Sequence, residues 1–279
     1  KNANSLSPSQ SKLDYLLEHY QNRRYDEAEK LAVTITQEFP EHQFAWTVLG
    51  QLFGQTGRAS EALNANKKAV VLSPQDSIVH YNLGITLKQL GRLDEAEASY
   101  RQAIALKPDL AEAHFRLGIT LKELGRLYES EASYKKAITL KPDYLEVHNN
   151  LGVTLKKLGK LDEAEVSYRQ AIALKPDLAD AHYNLGIVLI ELERLDEAEV
   201  SHKQAISLRP DHAEAHYNLG NTLQELGRLD EALASYNKAI ELKVDFSAAY
   251  SNKNICLNYF FSGSPLFIFE QHLEFGKQF

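Results

Sequence analysis

Asparagine recurs at 34-residue intervals at Asn150, Asn184, Asn218 and Asn252, and two intervals earlier at Asn82, with Val48 and Arg116 standing in the same register. A carboxamide carries both a donor and an acceptor, so one asparagine can hold the N–H and C=O of a passing peptide bond whatever side chains that peptide bears. If the column lies on successive packed helices, its rungs stand about 8–10 Å apart. An extended chain advancing about 3.3 Å per residue would then meet a rung at roughly every third residue. The same column could instead bond a neighbouring helix or stand in water. Arg116 would either favour an acidic peptide or interrupt the track.

Two neighbouring columns would tune such a groove. Tyr81, Phe115, Tyr183 and Tyr217 share a register that Asn149 interrupts. They could grip side chains, but packing between adjacent elements is the favoured reading. Lys88, Lys122 and Lys156 form the second column. It reads first as a solvated stripe, and alternatively as a local basic track facing an acidic peptide.

Other residue types suggest chemistry less well. Of ten histidines, His80, His114, His148, His182 and His216 form another 34-residue column. Rungs a helix-width apart cannot share a zinc ion, whose ligands all lie near 2 Å from the metal, so packing is expected. His212 and His216 lie four apart, with no third ligand evident. Gly152 to Gly159-Lys160 has the wrong interval for a phosphate loop and no Ser or Thr next. Cys256 lacks an indicated base and is expected to be a small buried hydrophobe. No catalytic residue, metal site or cofactor is expected.

The elements that must position these columns follow from the same period. Prolines fall at Pro40, Pro74, Pro108, Pro142, Pro176 and Pro210, with Val244 at the next step, and glycines at Gly50, Gly84, Gly118, Gly152, Gly186 and Gly220. Within 111–144, apolar residues at steps of three and four form two stripes divided at Gly125-Arg126, the pattern of two amphipathic helices. Asp94, Asp162 and Asp196, each followed three residues later by a glutamate, are expected to cap the second helices. Asp109 with Glu112 and Asp143 with Glu146 are expected to cap the first helices. Lys107, Lys141, Lys175 and Arg209 suit the negative helix ends. Small residues at the recurring glycines and at Ala96, Ala103, Ala137, Ala164 and Ala171 would let paired helices approach closely.

Composition sets the outer limits. The chain has 279 residues, 44% hydrophobic and 25% charged, which predicts a folded, soluble protein. A net charge of −7 argues against a nucleic-acid or anionic-membrane surface. No apolar run approaches the ~18 residues of a membrane span, no signal pattern opens the chain, and a cytoplasmic location is the default. Methionine is absent even at position 1, so a piece of a longer product is expected.

Trp46-x-x-Leu49-Gly50-x-x-Phe53, then Ala62 and Pro74, resembles the tetratricopeptide repeat. The resemblance covers about nine-tenths of the chain. It implies an all-α, right-handed superhelical solenoid of helical hairpins, whose first helices line a concave face. Residues 1–8 read as a polar tail, 9–42 as a divergent capping repeat, and 43–246 as six regular repeats. Residues 247–279 read as a partial seventh repeat followed by a helical end. In that end Ser264-Pro265 starts an expected helix over 266–279, and its aromatics offer a surface for docking or self-association.

The asparagine column also resembles the asparagine ladder of O-linked N-acetylglucosamine transferases, which clamps the backbone of protein substrates. Asn82, Asn150, Asn184, Asn218 and Asn252 match that position; Arg116 and Val48 do not. Ser251 to Tyr259, with Ile268 to His272, is similar to the junction at which bacterial members of that family pass from repeats to catalytic domain. Lys253 departs from its usual leucine. The expected function is a protein-interaction scaffold that binds extended polypeptide, using Asn82, Arg116, Asn150, Asn184, Asn218, Asn252, Lys88, Lys122 and Lys156. The alternative is the substrate-recognition arm of such a glycosyltransferase, without transferase activity of its own.

Overall fold

In the computed structural model the structure describes residues 7–260, and all their regular secondary structure is α-helical. The expected helix over 266–279 lies outside the described residues. The chain divides into two compact units at Pro142 and Asp143. The first contains α1 (Gln10–Gln21), α2 (Tyr25–Glu38), α3 (Gln43–Gln55), α4 (Ala59–Leu72), α5 (Ser77–Gln89), α6 (Leu93–Leu106), α7 (Ala111–Glu123) and α8 (Leu127–Leu140). The second contains α9 (Leu145–Lys157), α10 (Leu161–Leu174), α11 (Ala179–Glu191), α12 (Leu195–Leu208), α13 (Ala213–Glu225), α14 (Leu229–Leu242) and α15 (Ser247–Phe260). No described helix is long and apolar enough to cross a membrane.

Each hairpin turns through a left-handed residue. Gly91 has φ +71°, its N–H donates to Lys88 O at 2.9 Å, and Arg92 N–H donates to Leu87 O at 2.9 Å. These two bonds close the end of α5 and aim the chain back along it. In the α11–α12 hairpin the same geometry falls on Glu193, at φ +59°, with the equivalent bonds to Ile190 O and Leu189 O.

Close approach within a hairpin comes from the recurring glycine. A Cβ on Gly84, Gly118 or Gly220 would lie 2.6 Å from the ring of Tyr100, Tyr134 or Tyr236, and one on Gly152 would lie 2.7 Å from Tyr168. These tyrosines are essentially fully buried. The ring therefore lies on bare backbone, as the small-residue pattern anticipates, and burial pushes the phenol pKa values up. At Gly186 the partner is His202, and at Gly50 it is Asn66.

The expected aspartate caps are a correction. α6, α10 and α12 start at Leu93, Leu161 and Leu195, so Asp94, Asp162 and Asp196 lie inside the first turn, and none of these helices has a side-chain cap. There the aspartates face the positive helix end without accepting a capping bond. α7 and α9 likewise have none, and Leu110 and Tyr144 stand at their cap positions. The glutamates three residues on bridge hairpins instead. Arg126 donates to Glu97 at 2.6 Å and Arg194 to Glu165 at 2.6 Å, while Arg101 reaches Glu129 and Arg169 reaches Glu197, each at 2.9 Å. Lys203 first, and then Arg228, hold the Glu199 carboxyl below the usual carboxylate range against the opposing effect of burial.

Within each unit the first helices of neighbouring hairpins touch directly, α3 on α5 and α5 on α7, α9 on α11 and α11 on α13. The backbones of the second helices stand farther apart, spanned by the long arginine and glutamate side chains. Tighter spacing on one side than on the other curves a stack toward the tight side, so the first helices form the inner face of each unit.

Candidate functional site

The register that puts glycine beneath tyrosine also sets what the first helices present. The fifth-place aromatics do pack: Tyr81 lies 6.1 Å from Tyr100, Phe115 6.1 Å from Tyr134, and Tyr217 6.0 Å from Tyr236, centroid to centroid. Tyr183 and Tyr217 also contact the next hairpin, through His212 at 4.6 Å and Phe246 at 5.0 Å.

The asparagine column is brought to the inner faces, but its members are not equivalent. In the second unit Asn184 is half-buried on α11, and its carboxamide makes no hydrogen bond among the described residues. Asn150 Nδ2 donates to Glu146 O on its own helix at 2.8 Å. Asn218 Nδ2 donates to Tyr183 Oη at 3.2 Å, and Asn252 Nδ2 donates to Tyr217 Oη at 3.1 Å and to Asn221 Oδ1 at 2.8 Å. Two rungs therefore direct their N–H groups into the junction between hairpins. In the first unit Asn82 is buried, and its Nδ2 has no hydrogen-bond partner in the protein. Arg116 is half-buried with its guanidinium 5.8 Å from the Phe115 ring centroid. Val48 is buried in the core.

The lysine column is half-buried on the same faces. Lys88 pairs with Glu123 at 2.8 Å and Lys156 with Glu191 at 3.4 Å, each glutamate one hairpin further on. These two cations are neutralised within the unit that carries them. Lys122 occupies the corresponding place on α7.

A concavity of about 400 Å³ opens on the second unit's inner face. Ile187 and Ile190 supply apolar wall, Asn218, Asn221 and Asn252 supply amides, and Glu225 an exposed carboxylate. Tyr236 Oη, with one proton to give, lies 2.9 Å from Asn221 Oδ1 and 2.8 Å from Gln224 Oε1. Cys256 Sγ lies 3.2 Å from Gln224 Oε1, fully buried with its pKa raised by desolvation, the small buried side chain that the sequence suggests. Asn221 and Gln224 escape a search for columns because other residue types hold their places elsewhere.

The histidine column is structural. His80, His114, His182 and His216 place Nε2 at 2.9–3.0 Å from the carbonyl of Pro74, Pro108, Pro176 or Pro210. A carbonyl only accepts, so Nε2 carries the proton in each case. Trp46 Nε1 donates to Pro40 O at 2.8 Å in the same way, which explains how histidine and tryptophan exchange in this register. His212 lies against Tyr183 and 3.4 Å from Glu214.

These features define a class: helical-hairpin repeats that present an amide-lined inner face. Tetratricopeptide-repeat models match residues 16–77, 65–98, 86–125, 120–159, 154–192 and 177–243, and the chain belongs to the tetratricopeptide-repeat family. Among solved structures, YrrB, a TPR protein with an unusual peptide-binding site, is 26% identical. The match covers 68% of this chain and 98% of that one, with a TM-score of 0.62. MamA is 27% identical over 58% of this chain and 94% of its own, at a TM-score of 0.57. PilF of Pseudomonas aeruginosa, 18% identical over 76% of this chain and 96% of its own at a TM-score of 0.66, shares the fold. No curated protein matches the chain.

Proposed function

We propose that the protein is an interaction scaffold whose inner helical faces bind polypeptide in extended conformation. The observation that carries this reading is Asn184, a half-buried carboxamide with no internal hydrogen bond, one helical turn from the apolar Ile187 on an inner face. Its donor and acceptor suit a peptide bond, and the isoleucines suit alternate side chains of the same strand. Similarity to YrrB, a TPR protein with an unusual peptide-binding site, supports the same class of partner. Asn150, Asn218 and Asn252 flank Asn184 as further contacts, and Asn82, Arg116, Lys88, Lys122 and Lys156 belong to the same reading. The substrate-recognition arm of an O-GlcNAc transferase-like enzyme is a narrower version that rests on the sequence resemblance alone.

The test begins with a peptide selected from a random display library by the whole chain. Asn184→Ala removes no internal bond, so its helicity should be unchanged while affinity for the selected peptide falls about twofold to tenfold, the range of one net hydrogen bond. Asn150→Ala combined with Asn184→Ala and Asn218→Ala should weaken it further. A triple variant that binds as the parent does would show the column to be structural.

A further inference from the structure

Tyrosine stands at the twenty-fourth place of four repeats, as Tyr100, Tyr134, Tyr168 and Tyr236, but repeat 43–76 has Asn66 there. The twelfth place, elsewhere Lys88, Lys122, Lys156, Ile190 or Gln224, is Gly54 in that same repeat. Both truncations face one space. In repeat 213–246 the Tyr236 hydroxyl reaches the residues at the ninth and twelfth places, Asn221 and Gln224. The corresponding residues here are Gln51 and Gly54, and a cavity of about 290 Å³ lies beside them on the inner side of the first unit.

Its lining is uncharged. Tyr20, Tyr81 and Ile85 contribute ring and aliphatic surface, and Gln51, Asn66 and Asn82 contribute amides. Asn66 is 1% exposed; its Nδ2 donates to Thr86 Oγ1 at 2.9 Å, and its Oδ1 has no partner in the protein. Asn82 is 6% exposed, and its Nδ2 has none either. Both unmet atoms are buried beneath the lining, Asn66 Oδ1 against Gly50, so the Gln51 amide is the polar group taken to face the space. With no counter-charge in the lining, a charged side chain would lose its hydration without compensation.

Resting on the extended-polypeptide reading above, we infer that this cavity is a specificity pocket for a tyrosine side chain of the bound polypeptide. A phenol ring supplies the volume that the sister repeats fill with their own tyrosine. Its hydroxyl is both donor and acceptor, answering the Gln51 amide as the Tyr236 hydroxyl answers Asn221 in the sister repeat. Phenylalanine would fill the space and leave the amides unmet. Glutamine would meet the amides and leave the wall of Tyr81 and Ile85 uncovered.

The experiment titrates the whole chain with N-acetyl-tyrosinamide, N-acetyl-phenylalaninamide and N-acetyl-glutaminamide while following the side-chain amide resonances of Asn66 and Asn82. The tyrosine probe should shift both and bind about tenfold more tightly than either analogue, the worth of one well-made buried hydrogen bond. Asn66→Tyr restores the sister arrangement over Gly50, so it should keep or raise the melting temperature and abolish the response; Gly54→Lys serves if that variant does not fold. No shift in the parent, equal binding of the analogues, or an unchanged response in Asn66→Tyr would overturn the pocket. Failure here with Asn184→Ala still weakening peptide capture sinks the pocket alone. A tyrosine response with Asn184→Ala silent leaves a small-ligand pocket and sinks the extended track.

Discussion

His202 occupies a place where four sister repeats put tyrosine, fully buried, with neither ring nitrogen hydrogen-bonded. Desolvation, with His212 adding repulsion, lowers its pKa to about 4. The folded chain therefore holds the neutral ring while the unfolded chain protonates near 6.5, so stability is full above that pH and falls as pH drops toward 4. The loss approaches about 3 kcal/mol. His202→Tyr should remove that part of the acid sensitivity, read as a smaller drop in melting temperature between pH 7 and pH 4.5; an identical drop would refute it. Glu193 holds a left-handed φ that glycine adopts in five other hairpin turns, so Glu193→Gly should stabilise the second unit by about 1 kcal/mol, measured by urea unfolding. Both sites are visible as breaks in a column, Tyr to His and Gly to Glu. The commitment of Asn218 and Asn252 to tyrosine hydroxyls is not, because it depends on how far one helix stands from the next. The Asn66 and Gly54 truncations are legible as letters, but that they face one space emerges only when the helices are packed.

At the scale of elements, the hairpins are legible in the sequence because one steric requirement repeats. Every regular repeat needs bare backbone where a side chain of the second helix crosses, a ring in all but repeat 43–76, and that marks the glycine column. Gly118→Ala would put a Cβ 2.6 Å from the Tyr134 ring and should cost about 1–3 kcal/mol, measured by thermal unfolding. A variant as stable as the parent would mean that the α7–α8 hairpin can open without cost. Helix starts are less legible. Aspartate three residues before glutamate reads as a capping box, yet α6, α10 and α12 begin two residues earlier than that box implies, and the glutamates turn to arginines of neighbouring hairpins. That alternative is invisible to a local motif, since Arg126 and Glu97 lie 29 residues apart. Glu97 is buried, so its bridge to Arg126 is screened by salt less than an exposed pair would be. Arg126→Ala should therefore lower the melting temperature at low ionic strength and still lower it, by less, at 1 M salt; complete loss of the effect at 1 M salt would contradict this.

At the scale of the molecule, two units of stacked hairpins each turn their first helices inward, and the column of amides follows from that placement. A groove built from repeats can hold a repeating ligand, and the repeating part of any polypeptide is its backbone. Under the proposed reading, departures from the repeat, Arg116, Ile190 and the Asn66 pocket, then select side chains. The most direct measurement places a photoreactive amino acid either at Ile187 on the inner face of α11 or at Val200 on α12, where that side chain is 68% exposed, and irradiates the chain with the selected peptide. The expected result is labelling from position 187, reduced by Asn184→Ala, and none above background from position 200. Equal labelling from both positions, or labelling from position 200 alone, would contradict binding along the inner face.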